Sequence, residues 1–291
     1  MALSPAHRWG QVIGEVLEAA VLPLLRQFAE NHGLYLDQKG ERPSRKGLKC
    51  TWTDSNGNAH DLDFVLERGG TPKKMGTPVA FIEVAWRRYT KHSRNKAQEI
   101  QGAIMPLAET YRQAAPFKGV ILGGVFTLGA LKQMRSLGFA VLYFPYEMIV
   151  GVFRRFGIDA SSEENTPDAE FRKKVRAYQV LPGARRSALG QELVRSARQE
   201  VSRFIDALTG TVSRRIERVL VLPLHGALEE LGTIDDAIAF IQGYDAPDTR
   251  RPVQRYEIQI QYSNRDRIEG RFADKHGAIE FLGTYRQTGS A

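Results

Sequence analysis

Between residues 79 and 156 the chain switches repeatedly between two hydrophobic periods, and that alternation narrows the possible folds more than any other feature. VAFIEVAW (79–86) is a near-continuous apolar run and reads as a buried strand. A helix-period segment follows, SRNKAQEIQGAIMPLAETYRQ, with Ser93 as its N-cap and Ile100, Ala103, Ile104, Leu107 and Tyr111 on one stripe. KGVILGGVF is a second buried strand, TLGALKQMRSLG a helix closed by Gly138, FAVLYF a third strand, and PYEMIVGVFRRFG a helix with Pro145 at its start. Strands alternating with helices predict an α/β fold, a sheet covered by helices.

Upstream, Ser4 as N-cap and Pro5 at the first helical position open a helix, with Val12, Val16, Ala19, Ala20 and Leu24 at helical spacing. Pro23 is expected to kink or divide it, and Gly33 to end it. GLYLDQKG, GLKCTWTD and DLDFVLE read as strands, and Asn56-Gly57 as a tight turn. RGGTPKKMGTP is a loop. Together these elements define a core over residues 1–158. DASSEENTPD (159–168) reads as a mobile polar connection, and the basic helical stretch to residue 217 as a segment for DNA binding or dimerisation. Residues 218–291 hold an internal repeat at a shift of 41, pairing Val219 with Ile260, Ala237 with Ala278, Phe240 with Phe281 and Tyr244 with Tyr285. Each copy reads as two strands and a helix, so the expectation is a small ββα-ββα domain.

Charge bears on the partner. The net charge is +8, with 41 Lys and Arg against 33 Asp and Glu, which favours a polyanion, nucleic acid before anionic membrane. No apolar run is long enough to span a bilayer, and MALSPAHRWG lacks the basic start and apolar core of a secretory signal. Cys50 is the single cysteine, which excludes an intrachain disulfide, and the expectation is an intracellular, cytoplasmic protein. The six histidines are scattered, and neither a phosphate-binding G-x-x-x-x-G-K-[ST] loop nor a G-x-S-x-G elbow is present.

Glu83 interrupts the most apolar strand of the chain. A buried carboxylate costs several kcal/mol unless it is paired or bound to a cation. Alternation places Glu83 on a face with Phe81 and Ala85, and places Asp63 on a face with Asp61 and Val65. If the two strands are neighbours, Asp63 and Glu83 converge. Two close carboxylates then require a proton or a cation between them. Mg²⁺ suits such a pair, because it takes one or two carboxylates, keeps several waters and accepts phosphate oxygens. Glu15 on the first helix and Asp61, two residues before Asp63, are further acids that could contribute to the site.

The element order and the two acidic strands resemble the PD-(D/E)XK nuclease superfamily, the fold of many type II restriction endonucleases, over roughly residues 8–156. That resemblance implies a mixed central sheet flanked by helices, Asp63 and Glu83 as Mg²⁺ ligands, and a nearby Lys. The Lys position of the motif is Ala85 here, and Leu62 stands where the family usually has Pro. Some members carry the Lys on the next helix, which makes Lys96 the candidate, with Lys91 in the preceding loop as its rival and Glu99 as a further possible contributor. Arg87, Arg88, Lys91, His92 and Arg94 would then face DNA phosphate.

The expected function is a Mg²⁺-dependent endodeoxyribonuclease cutting double-stranded DNA as a homodimer. Its alternative is a catalytically inactive DNA-binding protein on the same fold, for which Ala85 is the main argument.

Overall fold

The computed structural model describes residues 4–224, 226–245 and 253–286, with the side chains of residues 90–92 left outside that description. Two compact units divide the chain, one through Leu208 and one from Thr209.

The first unit opens with helix α1 (Pro5–Asn31), capped by the Ser4 hydroxyl, which accepts from the His7 amide at 3.2 Å. Pro23 does not divide the helix, which runs on through it. It lies on the exposed side, as does Ala19, whose carbonyl loses its helical partner, so water can replace that bond. The buried stripe is Val12, Ile13, Val16, Leu17, Ala20, Val21, Leu25 and Phe28, so Ala19 lies outside the core. Gly33 follows at φ +62.

Five strands form a mixed sheet in the order β1-β4-β5-β6-β7: β1 (Leu34–Gln38), β4 (Phe64–Arg68), β5 (Thr77–Arg87), β6 (Phe117–Gly124) and β7 (Ala140–Pro145). The first three pair antiparallel; β5, β6 and β7 are parallel. A separate hairpin, β2 (Cys50–Thr53) with β3 (Ala59–Leu62), turns at Gly57. The expected single strand over 61–67 is therefore two. It breaks at Asp63, where the chain leaves the hairpin for the central sheet.

On one face of the sheet Val65, Phe81, Ala85, Val120 and Leu122 pack with helix α2 (Thr90–Thr110) and helix α3 (Leu128–Ser136). Helix α2 starts three residues before Ser93, with Tyr89 at the N-cap and no capping side chain, and Ser93 is buried within its first turn. Lys91 therefore belongs to the helix, not to a loop before it. Helix α4 (Tyr146–Arg155) follows β7, with Pro145 as its N-cap.

Helices α5 (Asp168–Gln179) and α6 (Gly183–Ser196) pack on α1. A Cβ at Gly190 would lie 3.2 Å from the Ala20 Cα, so the α1–α6 approach depends on glycine. The stretch expected as a separate segment at 159–217 thus divides. Its first two helices and α7 (Arg198–Val212) as far as Leu208 belong with the core. The connection at 159–168 is anchored: Arg88 Nε donates to the Ser162 carbonyl at 2.7 Å, and the Ser162 amide donates to the Tyr146 hydroxyl at 2.9 Å.

The second unit contains β8 (Ile216–Leu224), β9 (Glu229–Leu231), α8 (Ile234–Gly243), β10 (Arg255–Tyr262), β11 (Arg267–Phe272) and α9 (Lys275–Gly283). Its sheet order is β11-β10-β8-β9, all antiparallel. Val219 and Ile260 face each other across the central β8–β10 ladder and are both fully buried.

Candidate active site

Register brings the two acidic strands together. Phe64 pairs with Ile82, so the next step along the β4–β5 ladder sets Asp63 against Glu83. Asp63 lies in the break between β3 and β4, and its Oδ2 accepts the Val84 amide at 2.6 Å. The carboxylate thus does the work a strand carbonyl would do, which fixes its orientation. Glu83 is 8 % exposed. Burial, then the Asp63 charge, push its pKa up to about 8, while Lys96 opposes the shift. Burial also raises Asp63, against the Val84 hydrogen bond, Lys96 and a hydrogen bond with Glu83. Burial and mutual repulsion thus both favour a proton on the pair, and with it a hydrogen bond between the two carboxyls.

The charge of Lys96 acts on both acids, and its side chain, 21 % exposed, reaches Glu99 Oε2 at 3.4 Å. Glu99 faces outward, bridging Lys96 and Arg87 (3.8 Å), and does not join the acid pair. Asp61 is held at the surface by Lys49 and Thr51, both at 2.6 Å, and these bonds, Lys49 first, hold its carboxyl below the usual range. Glu15 pairs with Arg8 at 2.9 Å. The first helix instead sends Glu18 toward the site, one turn further on. Burial, then Asp63, raise its pKa to about 7. Sequence reading missed Glu18 because helical spacing alone does not say which of two acids a turn apart faces the sheet.

Of the five residues expected to meet phosphate, Arg94 is exposed and Arg87 is 34 % exposed. Arg88 is committed elsewhere, to the Ser162 carbonyl, the Glu163 carboxylate at 3.3 Å and the Tyr146 ring at 3.9 Å. The side chains of Lys91 and His92 lie outside the described ones. Ala85 is buried in the apolar cluster that packs against α2, an environment that suits its apolar side chain.

A second cluster of charge went unread in the sequence. Arg42, Asp37, Glu67 and Arg45 form a buried network, with Arg42 paired to Asp37 at 2.9 Å and to Glu67, and Arg45 to Asp37 at 3.2 Å. Arg42 also donates to the carbonyls of Thr71 (2.9 Å) and Lys74 (3.0 Å), and Glu67 accepts the Gly76 amide at 2.6 Å. This clasp closes the 69–76 loop. Gly70 sits so close to Glu67 that a Cβ would meet its Oε2 at 2.5 Å. Every carboxylate here already has a cation, so the cluster is structural. Burial pushes the neighbouring Cys50 thiol far up, which keeps it from acting as a thiolate nucleophile.

Among the described residues no three His, Cys, Asp or Glu side chains form a ready metal cage. The Asp63–Glu83 pair offers hard carboxylate oxygens of the number Mg²⁺ uses while keeping its waters, so the donor set fits that ion. No described helix is long and apolar enough to cross a membrane.

No family model matches the chain, and no curated protein matches it. Among solved structures the chain is similar to AF1548, a protein of unknown function, at 10% identity over 67% of this chain and 98% of that one, with a TM-score of 0.27. A likeness at that level supports no argument about fold or activity.

Proposed function

We propose that the protein is a Mg²⁺-dependent endodeoxyribonuclease of the restriction-endonuclease type, with its first unit built on a PD-(D/E)XK core. The observation that carries this reading is the opposition of Asp63 and Glu83 on adjacent strands, with the charge of Lys96 acting on both. Asp63 and Glu83 would hold the ion, which supplies an activated water and neutralises charge on the phosphate. Before binding, the pair must give up its proton. The Val84 amide keeps Asp63 aimed while that happens. Lys96 offers an ammonium to the phosphate oxygens and to the attacking water.

Arg87 and Arg94 supply exposed positive charge near the start of α2 for neighbouring phosphates. Cutting both strands of a duplex suits two copies related by a two-fold axis. The matched burial of Val219 and Ile260 at the centre of one ladder supports reading the second unit as a ββα repeat. Its β10–β11 hairpin, with exposed Arg267 and Arg271, is the candidate for groove contact.

The test is cleavage of plasmid and phage DNA in Mg²⁺ at about 10 mM, with Glu83→Ala and Lys96→Ala alongside the wild type. Discrete metal-dependent fragments that disappear in both variants support the assignment. Loss in Glu83→Ala alone keeps the nuclease and moves the cation role to Lys91. DNA binding that persists in EDTA, without cleavage of any substrate, replaces the reading with a non-catalytic DNA-binding protein, which the buried Ala85 favours.

A further inference from the structure

The ladder that sets the acid pair runs on to β1. Gln38 pairs with Phe64, and Phe64 with Ile82, across β1, β4 and β5. One step further along both ladders stand Lys39, Asp63 and Glu83. Lys39 and Asp63 are the first residues past the paired ends of β1 and β4, so the register sets Lys39 on the Asp63 side of the acid pair. It is the first residue after β1, it is exposed, and among the described residues no ion pair holds it. Its charge acts on Asp63 and on Glu18, whereas that of Lys96 acts on Glu83 and Asp63. Both Lys charges thus act on Asp63, that of Lys96 more strongly.

Building on the nuclease reading, we propose that Lys39 is a substrate-binding residue that holds the DNA phosphate next to the one being cut. An exposed Lys that no direct ion pair holds is available to a polyanion. Its register sets it on the Asp63 side of the acid pair, so a DNA strand lying across the site meets Lys96 at the reacting phosphate and Lys39 at a neighbour. Lys39 then contributes to binding in ground and transition states alike, while Lys96 acts in the transition state.

The experiment compares wild type, Lys39→Gln, Lys39→Arg and Lys96→Ala in two measurements. The first is Mg²⁺-dependent cleavage of a duplex, read as kcat and KM. The second is binding of the same duplex by fluorescence anisotropy in Ca²⁺, which takes the same oxygen ligands, over a salt series. Lys39→Gln is expected to raise KM about tenfold, the loss of one charge-assisted contact, with kcat changed less than about twofold. Its log K against log salt slope should be shallower by about 0.9, the value for one phosphate. Lys39→Arg should restore the slope, and Lys96→Ala should lower kcat. An unchanged slope, or a fall in kcat with KM unmoved, overturns the Lys39 assignment while the nuclease stands. Wild type that neither binds nor cuts DNA overturns the nuclease reading, and the Lys39 assignment falls with it.

Discussion

At the scale of single residues, the protein keeps a protonated acid in a strand core. Glu83 titrates near 4.5 when exposed and about 8 in the fold, chiefly through burial. Its folded form binds the proton more tightly than its unfolded form, so stability is greatest below about pH 4.5 with respect to this group and falls as pH rises toward 8. Asp63, Glu18 and Asp61 reinforce the effect and Lys96 opposes it. Glu83→Gln keeps the shape and removes the charge. In EDTA, urea denaturation should show it more stable than wild type near pH 8, by on the order of a few kcal/mol, and with little advantage near pH 5. Equal stability at both values would mean that Glu83 is already ionised without metal.

At the scale of elements, loops are placed by charge as much as by turns. Arg42 joins β1 to β4 through Asp37 and Glu67 and ties down the 69–76 loop through two carbonyls. Arg42→Met leaves the buried Glu67 without a cation and Asp37 with Arg45 alone, a loss of about 3–5 kcal/mol. Denaturation should register that loss, and trypsin should begin to cut at the exposed Lys73 and Lys74. Replacing Arg42, Asp37, Glu67 and Arg45 together by apolar residues should recover much of the stability, because no lone charge of the network then remains inside. The same logic accounts for the 159–168 connection. Its composition reads as mobile, yet Arg88 and Tyr146 hold Ser162, and Ile158 and Ala160 are buried. Composition reports what a segment can do in water and is silent on which distant side chain will bind its backbone.

At the scale of the whole molecule, the division at Leu208/Thr209 separates two cores, one around the mixed sheet and one around Val219, Val221, Ile258 and Ile260. Each has its own buried apolar set, so unfolding of the full chain should show two transitions, and residues 209–291 expressed alone should unfold cooperatively. A single coincident transition by calorimetry and by circular dichroism would instead mean that the units depend on each other. The boundary expected from sequence lay nine residues later, because α7 is one continuous helix and its pattern does not change where its contacts do.

Local chemistry settled much of this in advance. Apolar runs of period near one or two, the Ser4–Pro5 start and the glycines at 33 and 138 determined most of the elements, because each depends on neighbours within a few residues. The convergence of Asp63 and Glu83 was legible for the same reason: alternation fixes faces, and only the pairing of the strands had to be supplied. Tertiary structure decided the rest. It broke the strand at Asp63, chose Glu18 over Glu15 and turned Arg88 inward. Those outcomes rest on ladder register and on helix rotation against a sheet, which are properties of contacts between residues far apart in the chain.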